Sequence, residues 1–183
     1  MAEETVQVGK YTLESLTTGM YSDPKIVYRE YIQNSVDSLE NAVSVGLIEP
    51  QSMRIDIIVN AEESFISIKD NGTGIPAADA AKTLMNVGNS KKRNSNNRGF
   101  RGIGRLGGMS YCDTLIFTTS AEHEKVKTVV TFDCKRLRHL LVPGEYEDMS
   151  LSAVLEEITT IDTLPEKEEK HYLCVEMKDV IIS

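Results

Sequence analysis

Three short polar segments occur in a fixed order along this 183-residue chain, and together they constrain its fold more than any other feature. The first carries Glu30, Asn34 and Asp37 in a helix-like stretch. The second is the turn 70–74, with sequence DNGTG, and the third is the glycine-rich stretch 99–104, with sequence GFRGIG. Each segment is common on its own, but the three in this order are much rarer. The combination indicates a fold that brings an acidic helix face, a glycine turn and a glycine loop together.

The first segment lies within a predicted helix that runs from Asp23 to Val45. Asp23 is suited to the N-cap, Pro24 to the first helical position, and Gly46 marks the end. At about 100° per residue, apolar and polar side chains fall on nearly opposite sides. The apolar stripe comprises Tyr28, Ile32, Val36, Leu39 and Val43, and the polar one Glu30, Asn34 and Asp37. The polar stripe is either a solvated face of an amphipathic helix or a set of oxygen ligands of the kind that Mg²⁺ prefers.

The second segment places Asp70 at the end of an apolar strand. Gly72 and Gly74 permit backbone angles and close approaches that side chains would forbid. A carboxylate in such a turn can accept hydrogen bonds from an exocyclic amine such as that of adenine. The alternative is a solvent-exposed Asp-Asn-Gly turn, which is common between secondary structure elements.

The third segment exposes backbone N–H groups that can hold phosphate, although tight helix packing would explain its glycines equally well. Its residues are Gly99, Phe100, Arg101, Gly102, Ile103 and Gly104. Between Lys91 and Arg105 lie six basic residues and no acidic one, which concentrates positive potential where the glycine loop begins. The polar, asparagine-rich stretch 88–98 has no apolar periodicity and is expected to form a mobile lid.

Composition excludes several classes of protein. A net charge of −8 argues against a general nucleic-acid surface, because phosphate backbones are held by clustered Lys and Arg. No stretch approaches the ~20 apolar residues needed to span a bilayer, and the acidic N-terminus does not resemble a secretory signal. We therefore expect a cytoplasmic protein without membrane contact. Cys112, Cys134 and Cys174 are expected to be buried thiols rather than a metal site.

The remaining pattern predicts a single α+β domain. Strands are predicted at 53–60 and 64–70, which form a hairpin, and at 114–120, 126–133 and 172–182. Helical segments are predicted at 12–20, 77–87, 100–109 and 135–140. This order indicates a two-layer sandwich in which a mixed sheet is covered on one face by helices.

The three segments resemble the ATP-binding motifs of the GHKL superfamily. This group includes DNA gyrase, the ninety-kilodalton heat-shock chaperones, sensor histidine kinases and the MutL repair proteins. The stretch 29–39 (REYIQNSVDSL) is closest to the chaperones, and the stretch 99–102 (GFRG) resembles the MutL form of the phosphate loop. The resemblance covers about residues 10–120 and, more loosely, the final strand.

The resemblance implies a role for each matching residue. Glu30 would be the base that activates water, Asn34 the Mg²⁺ ligand, and Asp70 the contact to the adenine amine. Asp37, Gly72, Gly74 and Asn86 would line the nucleotide pocket, Gly99 to Gly104 would hold the phosphates, and Lys91 or Lys92 would reach the terminal phosphate. Family members often place a threonine on a late strand beside the adenine, and the alignment puts Cys174 near that position.

We expect a slow Mg-ATP hydrolase whose lid closure drives conformational change, as in chaperones. The alternatives are a nucleotide-binding switch without turnover and the ATPase module of a repair or topoisomerase-like protein. A histidine kinase is disfavoured because such kinases usually lack an acid at the position of Glu30. The chain is expected to be the N-terminal part of a longer protein, with a homodimer or C-terminal domains as partners.

Overall fold

The computed structural model describes residues 23–85, 104–146 and 148–181. Its centre is a six-stranded sheet with the order β1-β2-β6-β3-β4-β5. The strands are β1 (Ile55–Asn60), β2 (Phe65–Asp70), β3 (Cys112–Ser120), β4 (Val126–Asp133), β5 (Thr159–Pro165) and β6 (Tyr172–Val180). The helices are α1 (Pro24–Ser44), α2 (Ala77–Met85), α3 (Cys134–Leu140) and α4 (Leu151–Ile158), and short 3₁₀ helices span Pro50–Ser52 and Gly104–Ser110.

The local signals set the bounds of α1 as predicted. The Asp23 side chain accepts a hydrogen bond from Lys25 N, Pro24 occupies the first turn, and Val45 is the C-cap. Gly46 follows with a φ of +75°, a left-handed conformation that favours glycine. The sequence therefore determines where this helix begins and ends.

The sheet confirms the α+β prediction but is antiparallel rather than mixed. All five pairings between the six strands are antiparallel, including the predicted β1–β2 hairpin. The last strand inserts between β2 and β3, so it joins two hairpins that are distant in sequence. Strand β5 was not predicted and covers the outer edge of β4.

The helices pack on one face of the sheet. Leu115 and Phe117 of β3 are buried on that face, and their partners across the β3–β6 ladder are Met177 and Val175. The helical residues in the same core are Val27, Tyr31, Ala80, Leu84, Leu137, Leu140, Val154, Leu155 and Ile158. Cys112 and Cys134 lie in this core as free thiols, as expected, whereas Cys174 is half-buried.

The buried face of α1 differs from the predicted apolar stripe. Its buried residues are Val27, Tyr31, Ser35, Leu39 and Ala42. At about 100° per residue, the centre of this stripe lies about 80° from the centre of the predicted one. Tyr28, Ile32 and Val36 are consequently half-buried on one flank, and Glu30 and Asn34 are half-buried on the other.

Several predictions fall outside the described residues. These include the helix at 12–20 and the lid at 88–98. Of the helix predicted at 100–109, the described part is a 3₁₀ helix rather than an α-helix. Within the ranges that the structure covers, no helix has the length and apolar character needed to span a membrane.

Candidate nucleotide site

Asp70 is a buried carboxylate at the end of β2. The residue is 1% exposed. Ile66 and Ile68, which alternate with it on the same side of β2, belong to the helix-covered face. Its Oδ1 accepts a hydrogen bond from Gly72 N at 2.9 Å. Its Oδ2 is buried and has no hydrogen-bond partner among the described residues. A buried carboxylate oxygen left in this state is unfavourable, and it is available to a donor from a ligand.

The surroundings of Asp70 act on its acidity in opposite directions. Burial raises the pKa of Asp70 above that of an ordinary aspartate, because an ionised carboxylate loses hydration. The N–H of Gly72, the Ser35 and Ser38 hydroxyls and the Leu173 backbone lower the pKa in part. The carboxylate is thus near two serines of α1, yet Oδ2 still lacks a partner of good geometry.

Gly72 lies between α1 and β6. A Cβ at Gly72 would be 2.2 Å from Ser38 Oγ, a distance that no side chain tolerates. On the other side, His171 Nδ1 donates a hydrogen bond to the Gly72 carbonyl at 2.8 Å. The turn after Asp70 is therefore fixed to α1 and to the residue that directly precedes β6, both of which are distant in sequence.

The end of the same turn is fixed to β3. Gly74 has a φ of +64°, and a Cβ there would be 1.9 Å from the Ser120 carbonyl oxygen. The buried Thr119 Oγ1 accepts from Ile75 N at 2.8 Å and donates to the Tyr172 carbonyl at 3.0 Å. Thr119 was not predicted as a site residue, since nothing in a Thr-Thr-Ser strand end identifies it as a contact of the turn.

The polar residues of α1 follow one another along the flank that starts at this turn. Ser38 contacts Gly72, Asn34 lies one helical turn before Ser38, and Glu30 lies one turn before Asn34. Glu30 is thus about 12 Å along the helix axis from Ser38. Asp37 lies further around the helix, where its Oδ1 accepts from Gln33 Nε2 at 3.0 Å.

Tyr31 connects this helix to the segment that follows the glycine loop. Its hydroxyl donates to the Arg105 carbonyl at 2.8 Å and accepts from Gly108 N at 3.1 Å. A Cβ at Gly108 would be 2.3 Å from the Tyr31 hydroxyl oxygen, so a larger residue there would displace this hydroxyl. The only signals for this contact in the sequence are a tyrosine directly after Glu30 and the glycine pair at 107–108.

The placement of Cys174 beside the adenine was wrong. Leu173 is the residue that lies opposite Asp70 in the β2–β6 ladder, and Cys174 lies opposite Lys69. Successive side chains of a strand point to opposite faces, so Cys174 lies on the face away from Asp70. There it is within 3.5 Å of the Ser67 hydroxyl.

Several predicted site residues lie outside the described part of the chain. These are Asn86, Lys91, Lys92, Gly99, Phe100, Arg101, Gly102 and Ile103. Gly104 is the first residue of the 3₁₀ helix Gly104–Ser110, whose end Tyr31 holds. The described residues therefore bring together Asp70, its glycine turn and the flank of α1 that carries Asn34 and Glu30.

A cavity of about 380 Å³ lies on the other flank of α1. Tyr28, Ile32 and Val36 form its apolar part, and Lys25, Arg29 and Gln33 complete it. Since about 160° around the helix separates Ile32 from Asn34, this cavity is distinct from the site built by the predicted motifs.

The fold and the motif residues match a known class. Residues 21–159 match the family described as histidine kinase-, DNA gyrase B- and HSP90-like ATPase, and the chain belongs to that family. The matched range contains α1, the hairpin, the Asp70 turn and the glycine-rich segment. The chain is thus an ATPase-family domain of the GHKL type.

Curated relatives of the chain include bacterial chaperone proteins HtpG. The protein from Wolinella succinogenes is 26% identical over 144 residues, which cover 68% of this chain and 23% of the relative. The protein from Rhodospirillum rubrum is 31% identical over 100 residues, which cover 49% of this chain and 16% of the relative. The chain therefore spans less than a quarter of the length of these relatives.

Proposed function

We propose that this domain binds Mg-ATP between α1 and the helix-covered face of the sheet and hydrolyses it slowly. The observation that supports this most directly is the buried Asp70 carboxylate, whose Oδ2 has no partner among the described residues. An exocyclic amine is a neutral donor that would satisfy this oxygen, and the adenine base carries one. Gly72 and Gly74 allow the turn to lie directly against Ser38 and the Ser120 carbonyl, where a Cβ would clash.

The flank of α1 provides the groups for the phosphate end. A base held at Asp70 lies beside Ser38, so its phosphate chain would extend along α1 towards Asn34 and Glu30. The Asn34 amide oxygen would contribute a single protein ligand to Mg²⁺, with phosphate oxygens and water completing the shell. Bound Mg²⁺ would neutralise charge on the phosphates.

Glu30 would act as the general base. A half-buried carboxylate at this position would hold a water molecule and accept its proton as the terminal phosphate is attacked. Asp37 would line the same pocket. Asn86 would flank the nucleotide, the backbone amides of 99–104 would hold the phosphates, and Lys91 or Lys92 would reach the terminal phosphate.

The wider role is proposed from the relatives. The HtpG proteins are named chaperones, and we propose a chaperone-like role in which slow hydrolysis by this domain drives lid closure and a change of conformation in the cytoplasm. A homodimer or further domains would carry that change. Direct nucleic-acid binding by this acidic domain is not part of the proposal.

The test is a calorimetric titration of ATP, with and without Mg²⁺, into the parent chain and into Asp70→Asn. We expect magnesium-enhanced binding to the parent and a loss of about ten- to a hundredfold in the variant, since a hydrogen bond to a charged acceptor is removed. Asp56→Asn is the matched control, because this exposed carboxylate on β1 pairs only with the surface Arg54. Equal affinity in the parent and Asp70→Asn would contradict the pocket assignment. Binding without phosphate release would favour the switch module.

A further inference from the structure

Arg105 joins three elements of the candidate site. Its backbone carbonyl accepts the hydrogen bond from the Tyr31 hydroxyl on α1. Its guanidinium Nη1 donates to the carbonyl of Thr83, near the end of α2. Arg105 itself lies in the first turn of the 3₁₀ helix Gly104–Ser110. The backbone of Arg105 is therefore held by α1, and its side chain is held by α2 rather than extended into solvent.

The Arg105 guanidinium lacks a carboxylate among the residues that the structure describes. The ion pairs in those ranges involve Arg54, Lys125, Arg136 and Arg138, together with His123, but not Arg105. Burial lowers the pKa of Arg105, and no acidic group in the described part of the chain opposes this effect. The adjoining sequence from Asn86 to Gly104 contains no Asp or Glu.

The Arg105 guanidinium therefore has N–H donors without an acceptor among the described residues. It carries five N–H donors, and the Thr83 carbonyl accepts from Nη1 alone. Partly buried charge without a counter-ion is unfavourable, and the planar fork of arginine fits phosphate oxygens well. An anionic ligand would supply both the missing acceptors and the missing charge.

The contacts of Arg105 place this residue near the phosphate end of the proposed site. Its backbone carbonyl accepts from Tyr31, which directly follows Glu30 and lies about 10 Å along α1 from Ser38, the residue beside the Asp70 turn. We propose that the Arg105 guanidinium binds the phosphate groups of the nucleotide. This inference rests on the proposed function, because it takes the nucleotide as the anion.

The experiment measures the affinity of ATP, ADP and adenosine for the parent, Arg105→Met and Arg105→Gln by calorimetry. Glutamine retains an N–H donor for the Thr83 carbonyl but has no charge, so it separates helix capping from phosphate binding. We expect both variants to bind ATP about ten- to a hundredfold more weakly. Adenosine, which has no phosphate, should bind all three proteins equally. Arg54→Met is the control, since Arg54 is exposed and pairs with Asp56.

The outcomes separate this inference from the proposed function. If the parent binds ATP and Arg105→Gln binds it equally well, the phosphate contact is wrong while the nucleotide site stands. If ATP and adenosine are weakened by the same factor, Arg105 has only a structural role and the inference is overturned. If the parent binds neither ATP nor adenosine, the proposed function fails and the inference fails with it.

Discussion

Ser38 of α1 and Gly72 of the turn after β2 pack so closely that a Cβ on Gly72 would lie 2.2 Å from Ser38 Oγ. The contact joins residues of two separate sequence motifs. It fixes the distance between the Asp70 carboxylate and the helix flank that carries Asn34 and Glu30. This steric contact therefore helps to set the geometry of the candidate site, together with the hydrogen bonds of His171 and Thr119.

Gly72→Ala should destabilise the domain by about 1–3 kcal/mol, as expected for overpacking at a well-packed position. The added Cβ also meets the Ser38 Cβ and backbone carbon at 2.8 Å, so rotation of the hydroxyl gives no complete relief. Chemical denaturation of the parent, Gly72→Ala, Ser38→Ala and the double variant measures the effect. If the contact is as described, Ser38→Ala should recover part of the loss, and strictly additive effects would contradict it.

Tyr31→Phe should cost about 1–3 kcal/mol, because it leaves the buried N–H of Gly108 and the carbonyl of Arg105 without their shared partner. Tyr28→Phe is the matched control on the same helix, since Tyr28 is only half-buried. Thermal and urea unfolding of both variants measure the difference. A loss of stability no larger than that of Tyr28→Phe would mean that the two hydrogen bonds contribute little.

Asp70→Asn should leave the ligand-free domain at least as stable as the parent at neutral pH. The pKa of Asp70 is raised in the folded state, so the folded protein binds this proton more readily than the unfolded chain. Between the ordinary aspartate value and the raised one, stability therefore falls as the pH rises, and it stays lower above that range. Asparagine does not ionise, so Asp70→Asn removes this loss of stability. Urea denaturation at several pH values measures it, and a variant much less stable than the parent at neutral pH would contradict the prediction.

Adenosine affinity should fall as the pH falls through the raised pKa of Asp70. The amine donates to the ionised carboxylate, so protonation removes the acceptor, and affinity declines by up to about tenfold per pH unit below that pKa. Adenosine avoids the titration of the phosphates. Calorimetry over a pH series on the parent and Asp70→Asn measures the effect. A pH dependence of the same size in Asp70→Asn would assign it to another group.

Glu30→Ala should preserve ATP affinity and reduce phosphate release by about 10²–10⁴-fold, the usual contribution of a general base. Glu40→Ala provides the control, because Glu40 is an exposed carboxylate on the same helix. Calorimetry and a steady-state phosphate assay separate binding from turnover. Release at the parental rate in Glu30→Ala would show that another group activates water.

The sequence predicted the elements whose signals are local. Asp23, Pro24 and Gly46 define α1 through capping and backbone preferences, and alternation defines the β1–β2 hairpin. It did not predict β5, whose residues Thr159–Pro165 pair with β4 alone among the described strands and leave most of their side chains exposed. A strand of that kind has little alternation to mark it.

Which residues meet was decided by long-range packing. The sequence by itself determined that an acid at position 70 ends a strand before a glycine turn, and that Glu30 and Asn34 share one side of a helix. Only the tertiary structure decided that α1 buries Tyr31 and Ser35 and that Leu173, not Cys174, faces Asp70. The physical reason is that helix rotation and strand register depend on partners distant in the chain, and a shift of one residue moves a strand side chain to the other face.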